Sequence, residues 1–198
     1  MQTRMKHSGI QRKTPKLLTL GFICSVMTFD ANAAGTGGIG HLRLSNDLDR
    51  PQDGYCLDVV GSGRHIRLDL PLTAHNCKPG LYADEAVAID NQGRIKFPAY
   101  DVCATVAGLN SRALPGTAVV PRKCGENIPF MDAEKLQQFV FRKDGRVELQ
   151  GSGLCLTVGP DSDSTFEISH RWRPLFVERC EKAEAARSQW KFIAAKVQ

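Results

Sequence analysis

Cys56-Leu57-Asp58-Val59, Cys103-Ala104-Thr105-Val106 and Cys155-Leu156-Thr157-Val158 are one tetrapeptide pattern written three times. Each opens a cysteine pair, closed by Cys77, Cys124 and Cys180 at separations of 21, 21 and 25 residues. A second marker precedes each pair: Gly40-His41-Leu42-Arg43-Leu44, Gly93-Arg94-Ile95-Lys96-Phe97 and Gly145-Arg146-Val147-Glu148-Leu149. These are short strands with one apolar face, apolar and polar residues alternating with period two. Their glycines stand 53 and 52 positions apart. The period divides the chain into copies at about 39–92, 93–144 and 145–198, within one domain at 39–198.

Six cysteines allow fifteen pairings by counting alone. The repeat selects one disulfide per copy: Cys56 with Cys77, Cys103 with Cys124, and Cys155 with Cys180. Closing a loop of about 20 residues contributes roughly 3 kcal/mol in the chain-entropy model. That matters in a chain whose aromatic content is 7%. Asp90-Asn91-Gln92-Gly93 and Lys143-Asp144-Gly145 are hairpin turn signals ahead of the marker strands. Thr117–Val120 and Leu175–Val177 suit strands leading to the second cysteines. Only Asp132–Gln138 and Glu181–Ala186 read as helical, about two turns each at most. The expected class is all-β. Closing three such copies around a pseudo-threefold axis removes the exposed edges that an open stack would leave.

The formal charge of +5 is not spread over this domain. Five of the 26 basic residues and one of the 21 acidic ones lie in residues 1–33, which leaves 21 against 20. Residues 1–33 read as a secretory signal peptide. A basic segment ends at Lys16, an apolar run covers Leu17–Phe29, and Ala31-Asn32-Ala33 is an A-x-A cleavage site. This run of thirteen residues is too short to span about 30 Å of hydrocarbon and no other apolar run approaches its length, so no membrane span is expected in the mature chain. Cleavage removes Cys24, the odd cysteine, and leaves 34–38 as a flexible N-terminus. The expected location is secreted, extracellular or periplasmic, where thiols oxidise.

The three-copy period, the Cys-Leu-Asp-Val pattern and one cysteine pair per copy resemble the ricin-B-type β-trefoil lectin domain. So does a degraded Q-x-W position near the end of each copy. It reads Gln137-Gln138-Phe139 in copy two, Ser188-Gln189-Trp190 in copy three and Glu85-Ala86-Val87 in copy one. The resemblance implies a β-trefoil. It also implies a sugar site built from an Asp two residues after the first cysteine, a ring two residues before the second, and polar residues at the Q-x-W. A carboxylate accepts from two vicinal hydroxyls, while a flat ring covers the sugar's C–H face. Copy one carries Asp58, His75, Asp84 and Glu85 at these places. Copy two has Thr105 and Arg122 there, and copy three Thr157 and Glu178, so at most one ordinary site is expected. The implied function is a carbohydrate-binding module whose partners are glycans or glycoconjugates. The alternative is a non-catalytic subunit of the toxin-delivery type that binds a secreted protein partner.

Other signals carry less. Gly35-Thr36-Gly37-Gly38-Ile39-Gly40 has the letters of a phosphate-binding loop but neither the preceding strand nor the following helix. Asp161-Ser162-Asp163-Ser164 lacks the Gly and distal Glu of a calcium loop. The longer third loop carries Arg171-Trp172-Arg173 between His170 and Pro174, and is the second candidate interaction surface. The near-neutral domain gives no nucleic-acid face. No nucleophile with a recognisable base, no metal-ligand spacing and no cofactor motif occurs, so neither an enzyme, a metal site nor a cofactor is expected.

Overall fold

The computed structural model describes residues 38–195. The expected leader at 1–33 and residues 34–37 of the expected flexible N-terminus lie outside the described residues. Copy one contributes β1 (Gly40–Leu44), β2 (Tyr55–Asp58), β3 (Thr73–Asn76) and β4 (Ala88–Ile89). Copy two contributes β5 (Ile95–Phe97), β6 (Val102–Val106), β7 (Val119–Lys123) and β10 (Phe139–Phe141), plus a small hairpin of β8 (Asn127–Ile128) and β9 (Met131–Asp132). Copy three contributes β11 (Val147–Leu149), β12 (Leu154–Val158), β14 (Arg171–Arg179) and β15 (Trp190–Ala194), with β13 (Asp163–Ser164) paired to β14.

Equivalent residues hold equivalent registers. Cys56 lies opposite His75, Cys103 opposite Arg122 and Cys155 opposite Glu178. Across the preceding pair of strands, Arg43, Lys96 and Glu148 face the same three cysteines. The last strand of each copy pairs antiparallel with the first strand of the next: β4 with β5, β10 with β11, and β15 with β1. The third of these joins the two ends of the domain and closes the ring, as expected from the edge argument. Each marker glycine accepts a hydrogen bond from the apolar residue that ends its own copy: Gly40 from Val87, Gly93 from Phe139 and Gly145 from Trp190. The three disulfides join Cys56–Cys77, Cys103–Cys124 and Cys155–Cys180.

The core is threefold as well. Leu42, Ile95 and Val147 come from the marker strands, and Val59, Val106 and Val158 follow the first cysteines; all six are fully buried. Val87, Phe139 and Trp190 cap the same layer, and the Trp190 indole N–H donates to Leu156 O at 3.1 Å. Burial of such side chains stabilises by roughly 1.5–3 kcal/mol each. Asp90 builds the turn before β5, its carboxylate accepting from the Gln92 and Arg94 N–H groups. Gly93 in that turn has φ +77°, and a Cβ there would sit 2.1 Å from Phe139 O. Only glycine fits both conditions.

Two local readings need correction. The helices are single turns, α1 (Ala133–Leu136) and α2 (Ala185–Ser188), and α2 starts later than expected. The Lys182 and Ala183 N–H groups close a turn onto Arg179 O after the last disulfide, and Glu184 is extended, so helical geometry begins only at Ala185. A feature not anticipated is the left-handed residue two positions before each first cysteine: Gly54, Asp101 and Gly153, with φ of +63°, +52° and +71°. Among the described residues no helix is long and apolar enough to cross a membrane.

Candidate functional site

Asp58 ends β2, and its register against Thr73 turns the carboxylate toward the segment that follows the disulfide. Asp84 and Glu85 lie in a tight turn in which the Glu85 and Ala86 N–H groups both donate to Tyr82 O. The Val59 N–H donates to Asp84 O at 3.0 Å, fixing this turn against the end of β2. Neighbours in sequence, Asp84 and Glu85 nevertheless both reach the same place. Asp58, Asp84 and Glu85 are 3%, 3% and 0% exposed.

The residue that organises them is Lys78, immediately after Cys77. Its ammonium donates to Asp58 Oδ2 at 3.1 Å and to Asp84 Oδ2, and lies 3.8 Å from Glu85 Oε1. The Lys78 backbone N–H donates to Glu85 Oε2 at 3.1 Å, and His41 Nε2 approaches the same oxygen at 3.5 Å. Glu85 Oε1 is buried and accepts no hydrogen bond. Burial pushes the Glu85 carboxyl up to about 7, and burial likewise raises Asp58 well above its ordinary value. Burial alone would lower the Lys78 ammonium, but the three carboxylates outweigh it and raise its pKa. Burial lowers both His41 and His75, which favours their neutral forms.

His75 stands on β3 with its Nδ1 3.0 Å from Asn76 O. A carbonyl only accepts, so Nδ1 carries the proton and Nε2 keeps a free lone pair. The His170 ring meets His75 edge-on, with centroids 5.7 Å apart. An open groove of about 580 Å³ runs past them, lined by Arg43, Asp53, His75, Asn76, Lys78 and His170. The four sequence candidates, Asp58, His75, Asp84 and Glu85, therefore come together. Lys78, His41 and His170 join them without having been singled out from sequence.

The Arg171-Trp172-Arg173 segment follows His170, the residue of this loop that lines the groove, and pairs with the strand that carries His75. In β14, Trp172 lies opposite His75, and the Arg171 N–H donates to Asn76 Oδ1 at 2.9 Å. Arg173 is 4% exposed, donates to Asp49 at 2.6 Å and to Gly159 O at 2.7 Å, and lies 5.0 Å over the Tyr55 ring. It clamps copy three to copy one and is not offered to solvent. Two exposed apolar residues of this loop are at the hairpin tip, Phe166 and Ile168, 101% and 86% exposed.

The same positions in the other copies carry different chemistry. In copy two the Gly125 N–H donates to Gln137 Oε1 at 2.8 Å, the counterpart of the bond from Lys78 to Glu85. The Gln137 amide then donates to Thr105 Oγ1 at 2.8 Å and to Lys123 O at 3.0 Å. In copy three Thr157 bonds Cys155 O and Ser188 bonds Glu184 O. Copy three has Glu178 and Glu181 at the places of His75 and Lys78, but neither is buried, and neither copy gathers buried carboxylates around an ammonium.

No protein-family model and no curated protein matches the chain. Solved structures do. An agglutinin from Abrus precatorius superposes with a TM-score of 0.55 at 18% identity, covering 82% of this chain. The match takes in 51% of the agglutinin, so the chain spans about half its length. The solution structure of the mdaA-1 domain gives a TM-score of 0.55 at 16% identity, covering 82% of this chain and 93% of that domain. At such identities the likeness is one of fold.

Proposed function

We propose that this chain, a ricin-B-type β-trefoil with one disulfide per copy, is a lectin-like module that binds a glycan through copy one alone. The observation that carries this reading is the Lys78 ammonium held between Asp58 and Asp84 at the edge of an open groove beside His75. A pair of vicinal hydroxyls has the complementary chemistry. Each hydroxyl donates to a carboxylate and accepts from the ammonium, so a sugar edge enters by taking over one arm of the lysine. Carboxylates already out of water form strong charge-assisted bonds to such donors. His75, backed by His170, supplies a small ring platform for the sugar face. Copies two and three lack this buried cluster of carboxylates around an ammonium, and their role is structural. One shallow site gives weak affinity, so useful avidity comes from clustering.

A glycan array with wild type and Asp58→Ala tests the reading. The expected result is a defined glycan set bound by wild type and lost in the variant. Absence of binding to every glycan overturns it. We further propose that residues 1–33 address the chain to an oxidising compartment and are removed, which agrees with three cystines in one domain.

One observation favours a second reading, a non-catalytic subunit that docks on a protein. Phe166 and Ile168 stand free at the hairpin tip, and Leu109, Leu114 and Phe130 are 72%, 73% and 78% exposed in copy two. Such residues on a small domain suit a contact surface. Recovery of a stoichiometric partner from the extracellular or periplasmic fraction supports it, and a chain that purifies alone counts against it.

A further inference from the structure

Three buried carboxylates surround a single ammonium, so the ionised cluster carries an uncompensated charge of about two negatives, which a low-dielectric site does not tolerate. Only protons or another cation restore the balance. The donors present favour one kind of cation. A carboxylate oxygen of Asp58, a carboxylate oxygen of Glu85 and a ring nitrogen of His75 all lie within 4.8 Å of one another. In a tetrahedral zinc site with bonds of about 2.0–2.2 Å the ligand atoms stand about 3.3–3.6 Å apart. Small side-chain rotations bridge the difference. Two further details point inward. Glu85 is fully buried, yet its Oε1 accepts no hydrogen bond. His75 has Nδ1 on a backbone carbonyl, the kind of outer contact that fixes a ligating imidazole and leaves Nε2 free to ligate.

We propose that Asp58, His75 and Glu85 form a binding site for a borderline divalent cation of the zinc type, which displaces the Lys78 ammonium from the cluster. Imidazole with two carboxylates suits zinc, whereas calcium takes six to eight oxygens, which this site does not offer. Lys78 is able to leave, because its side chain is 22% exposed at the groove and its long stem reaches water. Copies two and three, with Thr105 and Gln137 or Thr157 and Ser188 at the same places, provide no second site. The proposal shares Asp58 and His75 with the sugar reading, and Lys78 acts in both, but it does not depend on that reading.

The test is titration calorimetry of tag-free protein at pH 7.5 with zinc chloride alone, and with calcium chloride alone. The expected result is one zinc per chain and no calcium. His75→Ala and Glu85→Gln should each weaken zinc by at least about tenfold. Lys78→Met should tighten it several-fold, because the competing cation is gone. Glu85→Gln places in copy one the amide that copy two already accommodates, and its melting curve verifies the fold. No zinc binding to wild type overturns the proposal. So does stoichiometric binding that none of the three variants changes. Lys78→Met also separates the two readings, since it should reduce glycan binding while strengthening zinc. Glycan arrays run in EDTA decide the sugar reading independently of the metal.

Discussion

Copies one and two share a skeleton down to single hydrogen bonds, and differ in what they hang on it. In both, the residue after the second cysteine donates its N–H to the side chain that opens the Q-x-W position: Lys78 to Glu85, and Gly125 to Gln137. In copy two that side chain is an amide, which accepts with one end and donates with the other, so Thr105 and the Lys123 carbonyl are both satisfied. The network is neutral and closed. In copy one a carboxyl stands in its place, Asp58 replaces the threonine, and Lys78 replaces a glycine. The result is a buried cluster with charge left over. The comparison teaches that a neutral amide accepts this bond as well as a carboxyl does, so the bond itself does not require the charge that copy one carries.

The shared skeleton is the first thing to break. Each of the three disulfides closes a comparable loop and should contribute about 3 kcal/mol, close in sum to the whole stability of a small domain. Full reduction is expected to abolish or strongly lower the thermal transition. The double replacement Cys103→Ala with Cys124→Ala should cost about 3 kcal/mol in urea titration. An unchanged melt on reduction is the outcome that defeats the pairing.

Next comes the exchange of side chains. Gln137→Glu removes the donor to Thr105 and Lys123 O, and should destabilise by about 2 kcal/mol at pH 8. The loss should shrink at pH 5, where a protonated carboxyl donates again. Equal stability at both pH values would break the analogy between the two networks.

The smallest effect is the reverse exchange. Folded, Glu85 holds its proton up to about 7; unfolded, it releases it near the ordinary value of 4.5. Between these values the folded state binds more protons, so its contribution to stability is complete below 4.5 and is lost as pH rises through 7. Glu85→Gln keeps a donor at every pH. It should flatten this part of the profile and stabilise by about 1 kcal/mol at pH 8, read from urea midpoints across pH 5–8.

Much of the fold was legible in the chain because it rests on repetition. Gly40, Gly93 and Gly145 marked the copies, and the cysteines fell into the pairs that the period selects. The left-handed residue before each first cysteine was harder to see, since Asp101 occupies in copy two what glycines occupy in the others. Of the site, Asp58, His75, Asp84 and Glu85 were readable as positions, but not their burial. Alternation along a strand would send Asp84 and Glu85 to opposite sides, and it is the turn on Tyr82 that brings them together. Lys78 was invisible for a different reason. A lysine beside a cysteine looks like any solvated cation until Asp58 at the end of β2 and the pair Asp84 and Glu85 in the following turn converge on it. Arg173 misled in the same way, because its partner Asp49 lies 124 positions away.

The pairing of β1 with β15 also orders events in time. Each disulfide joins residues of one copy, so all three can form while the chain is still being extended. The closing ladder from Gly40–Ala194 to Leu44–Trp190 joins the domain's first strand to its last, and waits for the whole domain. Until then β1 is an unpaired edge, and contacts of such long range form slowly. This topology lets local cross-links precede ring closure, and any interval between the two leaves the outer edge of β1 open to pairing with another chain.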